Sequence, residues 1–178
     1  LNIFEKKYIS MIDYSLSKDK LIGMIQSNEN NKLYDIGCIG KINSYEETTD
    51  GRYIINLSGK NYFKIVKELS KKNNFRIAEI EILKQNKKYF VDNNIFDRNS
   101  FLQKYKTYSN EYNIKIDFTL LNQIESLDLI RFAAMSCPFS SADKQMLLET
   151  FDINELGNKM IYLFDFYISN KEKKDRLN

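Results

Sequence analysis

The residues able to do chemistry are few, and one type is missing: the 178-residue chain has no histidine. That removes the commonest general base, the commonest zinc ligand and any Cys–His or Ser–His nucleophile pair. The two cysteines, Cys38 and Cys137, cannot complete a usual structural zinc site without histidine. Glu46, Glu47 and Asp50 form an acidic cluster that could bind a metal or exchange protons, but at a hairpin tip simple solvation is the better reading. Asp13 and Asp35 show no partners in sequence and read as surface or capping residues. The run Met135 to Phe139 (MSCPF) reads as a packed joint between helices, since no base accompanies Cys137. No G-x-x-x-x-G-K-[ST] run is present to cradle a nucleotide, and Gly37-x-x-Gly40 lacks the following helix of a dinucleotide fingerprint. The sequence thus offers no catalytic, cofactor-binding or metal-binding residue.

Binding chemistry is better represented. Tyr45, Tyr53, Tyr62 and Phe63 crowd a short stretch that also holds Arg52, Lys60 and Lys64. Aromatic rings beside cations can stack unpaired bases or grip apolar side chains of an unfolded chain. Equally, Tyr53 and Phe63 can fill a core while Tyr45 and Tyr62 cover its outside. Tyr45, Arg52 and Tyr62 are therefore the binding candidates. The net charge of +3 is unevenly placed: Lys60 to Lys88 holds nine lysines or arginines against three glutamates. Such a segment suits nucleic acid or an acidic partner. Lysine outnumbers arginine, however, and asparagine and isoleucine abound, as an AT-rich coding sequence would dictate, so a solvated surface is the favoured reading.

The elements that must position these residues centre on Ile36 to Leu69. That stretch reads as three successive strands with a tight turn at Asp50-Gly51, the strongest short-range hairpin signal. Tyr53, Ile55 and Leu57 share one face of the second strand, and Phe63, Ile65 and Leu69 share one face of the third. Before it, Asn2 and Glu5 resemble a capping box, opening a helix with Phe4, Tyr8, Met11 and Ile12 as its apolar stripe. Leu21 to Gln26 reads as a short strand and Ser27 to Lys32 as a polar loop. After it come a turn at Ser70 to Asn74, a strand over Phe75 to Lys84, a loop at Gln85 to Lys88 and a last short strand at Tyr89 to Val91. Near Asp97 the pattern turns helical, with Asp97 or Asn99 able to cap the start and Phe101, Leu102, Tyr105, Tyr108 and Tyr112 on one face. Asp117 starts a second helix through Ile124, and Ser126 a third to about Met135. Pro138 breaks the chain. Ser140 with Asp143, then Asp152 with Glu155, cap the last two helices. The final stripe is Leu156, Met160, Leu163, Phe164 and Tyr167, and Lys171 to Asn178 reads as a frayed tail. Segregated strands and helices give an α+β chain, with a β-rich part over 1–95 and a helical part over 96–178. No apolar run is long enough to span a bilayer, so no membrane role is expected. No signal peptide is visible, although the sequence begins at Leu rather than Met.

The run GCIGKINSYEETTDGRYIINLSGKNYFKI (Gly37 to Ile65) resembles the signature of the Lon N-terminal, substrate-binding domain in its stand-alone bacterial form. LNIFEKKY at the start, LIGMIQ from Leu21 and AAMSCPFSSADKQMLLE from Ala133 match in the same order. The resemblance implies a PUA-like antiparallel β-barrel followed by a helical bundle. It also implies a non-catalytic module without cofactor, since a full Lon adds an ATPase module and a Ser-Lys protease domain after this one. Its partners would be unfolded or partner polypeptide, with a Lon-type protease among them. Two cysteines alone do not make a disulfide scaffold, and reduced, packed thiols in a cytoplasmic protein are the better reading of them. In that family a strand precedes the LNIFE-like segment and is missing here. PUA-like barrels also occur in RNA-binding proteins, which makes an RNA-binding module the second reading.

Overall fold

The computed structural model describes residues 1–69, 74–83 and 96–177, with side chains as far as Lys173. The chain divides into two compact units, Leu1–Gln85 and Asn86–Asn178. The turn expected at Ser70 to Asn74 is described only at Asn74. The loop at Gln85 to Lys88, the strand at Tyr89 to Val91 and the division expected at residue 95 lie outside the described residues.

The first unit carries β1 (Asn2–Ile3), α1 (Lys6–Leu16), β2 (Leu21–Met24), β3 (Ile36–Glu47), β4 (Tyr53–Glu68) and β5 (Ala78–Leu83). All pairings are antiparallel, in the order β1-β4-β3-β2, with β5 also on β4. Among the described residues these pairings run as an open path; none closes a ring.

Where three strands were expected from Ile36 to Leu69, two long ones form, because β4 continues unbroken through Gly59. Bulges let it do so. The register with β3 slips at Lys60, which faces no partner between Gly40↔Gly59 and Ile39↔Asn61, and again at Asn43 on β3. An extra residue reverses which side chains point to which face. Tyr53, Ile55 and Leu57 accordingly lie on the face that carries Ile42, while Phe63 lies on the opposite face with its partner Gly37. One strand thus serves both sides of the sheet. A third slip at Val66, against β5, breaks the expected row of Phe63, Ile65 and Leu69, and Leu69 is left 44% exposed. Phe63, by contrast, is 3% exposed because its ring lies over two glycines. A Cβ on Gly37 would sit 2.7 Å from the Phe63 ring and 2.6 Å from the Met24 carbonyl oxygen, and one on Gly23 would sit 3.3 Å from the same ring.

Helix α1 packs on the Ile42 face. Ile12 is fully buried among Ile22, Ile42, Tyr53 and Ile55, each such side chain contributing roughly 1.5–3 kcal/mol through burial. The expected capping box does not form: Asn2 pairs with Ile54 in β1, and Glu5 caps the helix without a side-chain bond. Main-chain pairing with β4 satisfies Asn2 where a local cap would have competed. The LNIFE segment therefore supplies a strand itself. With the helix starting at Lys6, its buried face turns to Ile12 and Ser15, and Phe4 is 64% exposed. Ser15 is buried because its hydroxyl donates to the Leu21 carbonyl at 3.0 Å.

The second unit is helical: α2 (Arg98–Glu111), α3 (Phe118–Leu121), α4 (Ser126–Ser136), α5 (Ser141–Leu148) and α6 (Ile153–Leu177). The expected caps form. Asp97 accepts from the Ser100 amide, Ser140 from the Asp143 amide, and Asp152 from the Asn154 and Glu155 amides. Helix α3 stops at Leu121, short of Ile124, and Cys137 is extended before Pro138. The core joins Phe101, Tyr105 and Tyr108 of α2 to Leu156, Met160, Leu163 and Phe164 of α6. Tyr105 and Phe164 stack with ring centroids 5.5 Å apart. The tail expected to fray from Lys171 instead continues α6 to Leu177.

Candidate functional site

The turn between β3 and β4 is a three-residue loop over Thr49-Asp50-Gly51. The Gly51 amide donates to the Thr48 carbonyl at 2.9 Å, and the Thr48 amide to the Arg52 carbonyl at 2.9 Å. Gly51 has φ +78°, the left-handed conformation glycine accepts without strain. The Thr48 hydroxyl donates to Asp50 Oδ1 at 2.5 Å and accepts the Arg52 amide at 3.1 Å. Arg52 Nε reaches Asp50 Oδ2 at 2.7 Å. Hydrogen bonding from Arg52, then from Thr48, holds the Asp50 carboxyl down at about 2. The acidic cluster is therefore partly spent on its own turn.

Tyr45 pairs with Ile55 and lies on the α1 face, edge-on to Tyr53 at 6.1 Å, yet it is 51% exposed. Beneath it, the Tyr53 hydroxyl donates to Asp13 Oδ1 at 2.8 Å. That hydrogen bond, with burial second, pushes the Tyr53 phenol up to about 12. Asp13, which seemed partnerless in sequence, thus ties α1 to the sheet. Tyr62 pairs with Cys38, on the same face by register. From Ile55 to Tyr62 is seven positions of β4, about 23 Å of extended strand, with Ile42 and Leu57 between. Tyr45 and Arg52 share the hairpin end; Tyr62 stands apart from them.

Two features of this end were not legible in sequence. Phe4, assigned to a buried stripe, is among the most exposed apolar residues, next to the β1–β4 pairing. Ile54 beside it is also exposed. The signal that could have exposed Phe4 is the β-pairing of Asn2-Ile3, which spans some 50 residues.

Among the described residues no group of three or more His, Cys, Asp or Glu is placed to hold a metal. Cys137 is 1% exposed, and burial pushes its thiol up to about 12, far from a reactive thiolate. The described part of the lysine-rich segment is largely matched by acid. Lys64 stands opposite Glu81 and Lys67 opposite Glu79 across β4 and β5, and Arg76 binds Glu68 at 2.5 Å. No helix among the described residues is long and apolar enough to cross a membrane.

An antiparallel sheet unit and a helical unit make an α+β chain. The model of the ATP-dependent protease La (Lon) substrate-binding domain matches residues 1–165, and the chain belongs to that family. A Lon protease from Buchnera aphidicola subsp. Baizongia pistaciae is 24% identical over 182 residues, covering 96% of this chain. The chain spans 23% of that relative's length. The fold is similar to a Lon N-terminal domain protein from Xanthomonas campestris, with TM-score 0.65, 14% identity, and coverage of 91% of this chain and 86% of that one. It is also similar to the N-terminal domain of a Mycobacterium avium complex Lon protease, with TM-score 0.51, 14% identity, and coverage of 93% and 89%.

Proposed function

We propose that this chain is a non-catalytic module that holds unfolded polypeptide, acting in the cytoplasm with a Lon-type ATP-dependent protease. The observation that carries this reading is membership of a substrate-binding family over residues 1–165. The surface supports it physically. A module accepting many unfolded chains must offer apolar area without demanding one side-chain pattern. Tyrosine supplies a large ring and a polar tip at low entropic cost. Tyr45 is the principal anchor, half exposed on a rigid strand. Arg52 keeps donors beyond those engaged by Asp50 and can meet backbone carbonyls. Tyr62 serves a second contact for chains long enough to reach it.

The test is titration of a reduced, unfolded protein and of single-stranded RNA, each at two salt concentrations, against the parent, Tyr45→Ala and Tyr45→Ala/Tyr62→Ala. Weakened polypeptide binding with mild salt dependence in the variants is the expected result. Tighter RNA binding with a steep salt slope favours the RNA-binding reading instead. Unchanged capture by the double variant removes these residues from the site.

A further inference from the structure

A second surface of the first unit carries a different chemistry. Between the α1–β2 turn and β3 lies an open depression of about 520 Å³, lined by Lys18, Asp19, Lys20, Lys41, Ile42 and Asn43. Among the described residues, three lysines from two elements line it beside a single aspartate. None of the three forms an ion pair with a described residue. Elsewhere in the unit Lys7, Arg52 and Arg76 each hold a carboxylate, at 2.9, 2.7 and 2.5 Å. Lys18 and Lys20 are not needed to close the helix, because the Ser17, Lys18 and Lys20 amides already meet the Asp13 and Ser15 carbonyls.

The frame is fixed. Lys20 has φ +59° and is held by its amide on the Ser15 carbonyl and by the Ile42 amide on its own carbonyl. Ile42 is buried, and the Asn43 side-chain NH2 donates to the Ser58 hydroxyl. The turn and β3 are therefore held side by side.

We propose that this depression binds the carboxylates of an acidic stretch of polypeptide, which rests on the polypeptide-binding reading above. Ammonium groups on flexible stems suit carboxylates at irregular spacing, since each acts as a point charge. Among the described residues no aromatic ring lines the depression to stack a base, which disfavours single-stranded nucleic acid. An acidic stretch held here would leave the Tyr45 end to apolar residues of the same chain.

The experiment is fluorescence anisotropy of a labelled ten-glutamate peptide against the 178-residue chain at low and physiological salt. Inorganic phosphate and a ten-nucleotide single-stranded RNA serve as competitors. Lys18→Gln/Lys41→Gln is expected to weaken the peptide by roughly fivefold at low salt, the loss of two exposed charge contacts. Lys64→Gln/Lys67→Gln removes the same charge elsewhere and is expected to leave binding nearly unchanged. Equal losses in both variants, absence of peptide binding by the parent, or RNA displacing the peptide at lower concentration than free peptide does would each overturn the proposal. An unfolded protein without acidic runs separates the two readings. If it still binds while the glutamate peptide does not, only this inference falls; if neither binds, both fall.

Discussion

Replacing Gly37 by Ala probes the closest approach in the sheet. An added Cβ would lie 2.6 Å from the Met24 carbonyl oxygen and 2.7 Å from the Phe63 ring. The first is backbone held in the β2–β3 ladder, and the second is a ring buried to 3% exposure, so neither can give cheaply. Overpacking of this kind costs about 1–3 kcal/mol. Removing a strand glycine returns about 0.5–1 kcal/mol of backbone entropy. A net loss of roughly 1–2 kcal/mol is expected. Gly40→Ala is the internal control: its Cβ would meet Leu57 at 3.5 Å, an ordinary contact, so the entropic gain should stand alone. Phe63→Leu should remove about half of the Gly37→Ala cost, because the Met24 carbonyl remains. Urea unfolding followed by circular dichroism measures all of these. If Gly37→Ala and Gly40→Ala unfold together, or if Phe63→Leu abolishes the whole cost, the packing account is wrong.

Gly51→Val should cost about 1 kcal/mol or more through its positive φ alone, since a Cβ there meets nothing within 4 Å; Gly51→Asn should recover most of the loss in the same melts. The Tyr108 hydroxyl is buried with no hydrogen-bond partner among the described residues, so Tyr108→Phe should be neutral or stabilising by about 1 kcal/mol. Tyr105→Phe, whose hydroxyl meets Ser136 Oγ at 2.5 Å, should instead lose about 1 kcal/mol. Asp50 is held below its ordinary 3.8, at about 2, so it contributes stability that is present above 3.8 and lost as pH falls through about 2. Arg52→Gln should move the Asp50 carboxyl back toward 3.8, as read by its carbon chemical shift across a pH titration.

Local chemistry was legible from sequence, and distance in the chain was not. Asp97, Ser140 and Asp152 cap helices as their side chains suggest, because a cap is decided within four residues. The Asp50-Gly51 turn is decided the same way. The burial of Phe4 was misread because β1 pairs with β4 across some 50 residues, and no local pattern encodes that. The three expected strands became two because a bulge lets β4 pass Gly59, where alternation alone suggested a break. Ser140 shows both cases at once. Its cap is local, but its amide donates to the Tyr167 hydroxyl at 2.9 Å, which itself donates to Asp143 Oδ2 at 2.7 Å. At the hairpin end, Tyr45 and Arg52 are brought together by the turn, while Tyr62 is carried away by the length of β4.

The unequal spans of the β4 pairings also set an order of events during folding. β3 and β4 are joined by a loop of a few residues, so their closure costs little chain entropy and hairpins form on the order of 1–10 μs. β1 reaches the same strand through pairs such as Asn2↔Ile54, and must wait until that strand exists. Pulse labelling of amides during refolding should therefore protect Thr48, whose amide donates to the Arg52 carbonyl across the turn, well before Ile55, whose amide donates to the Leu1 carbonyl. A chain caught between those two stages would present Tyr53 and Ile54 along an unpaired edge, inviting a second copy to supply the missing strand.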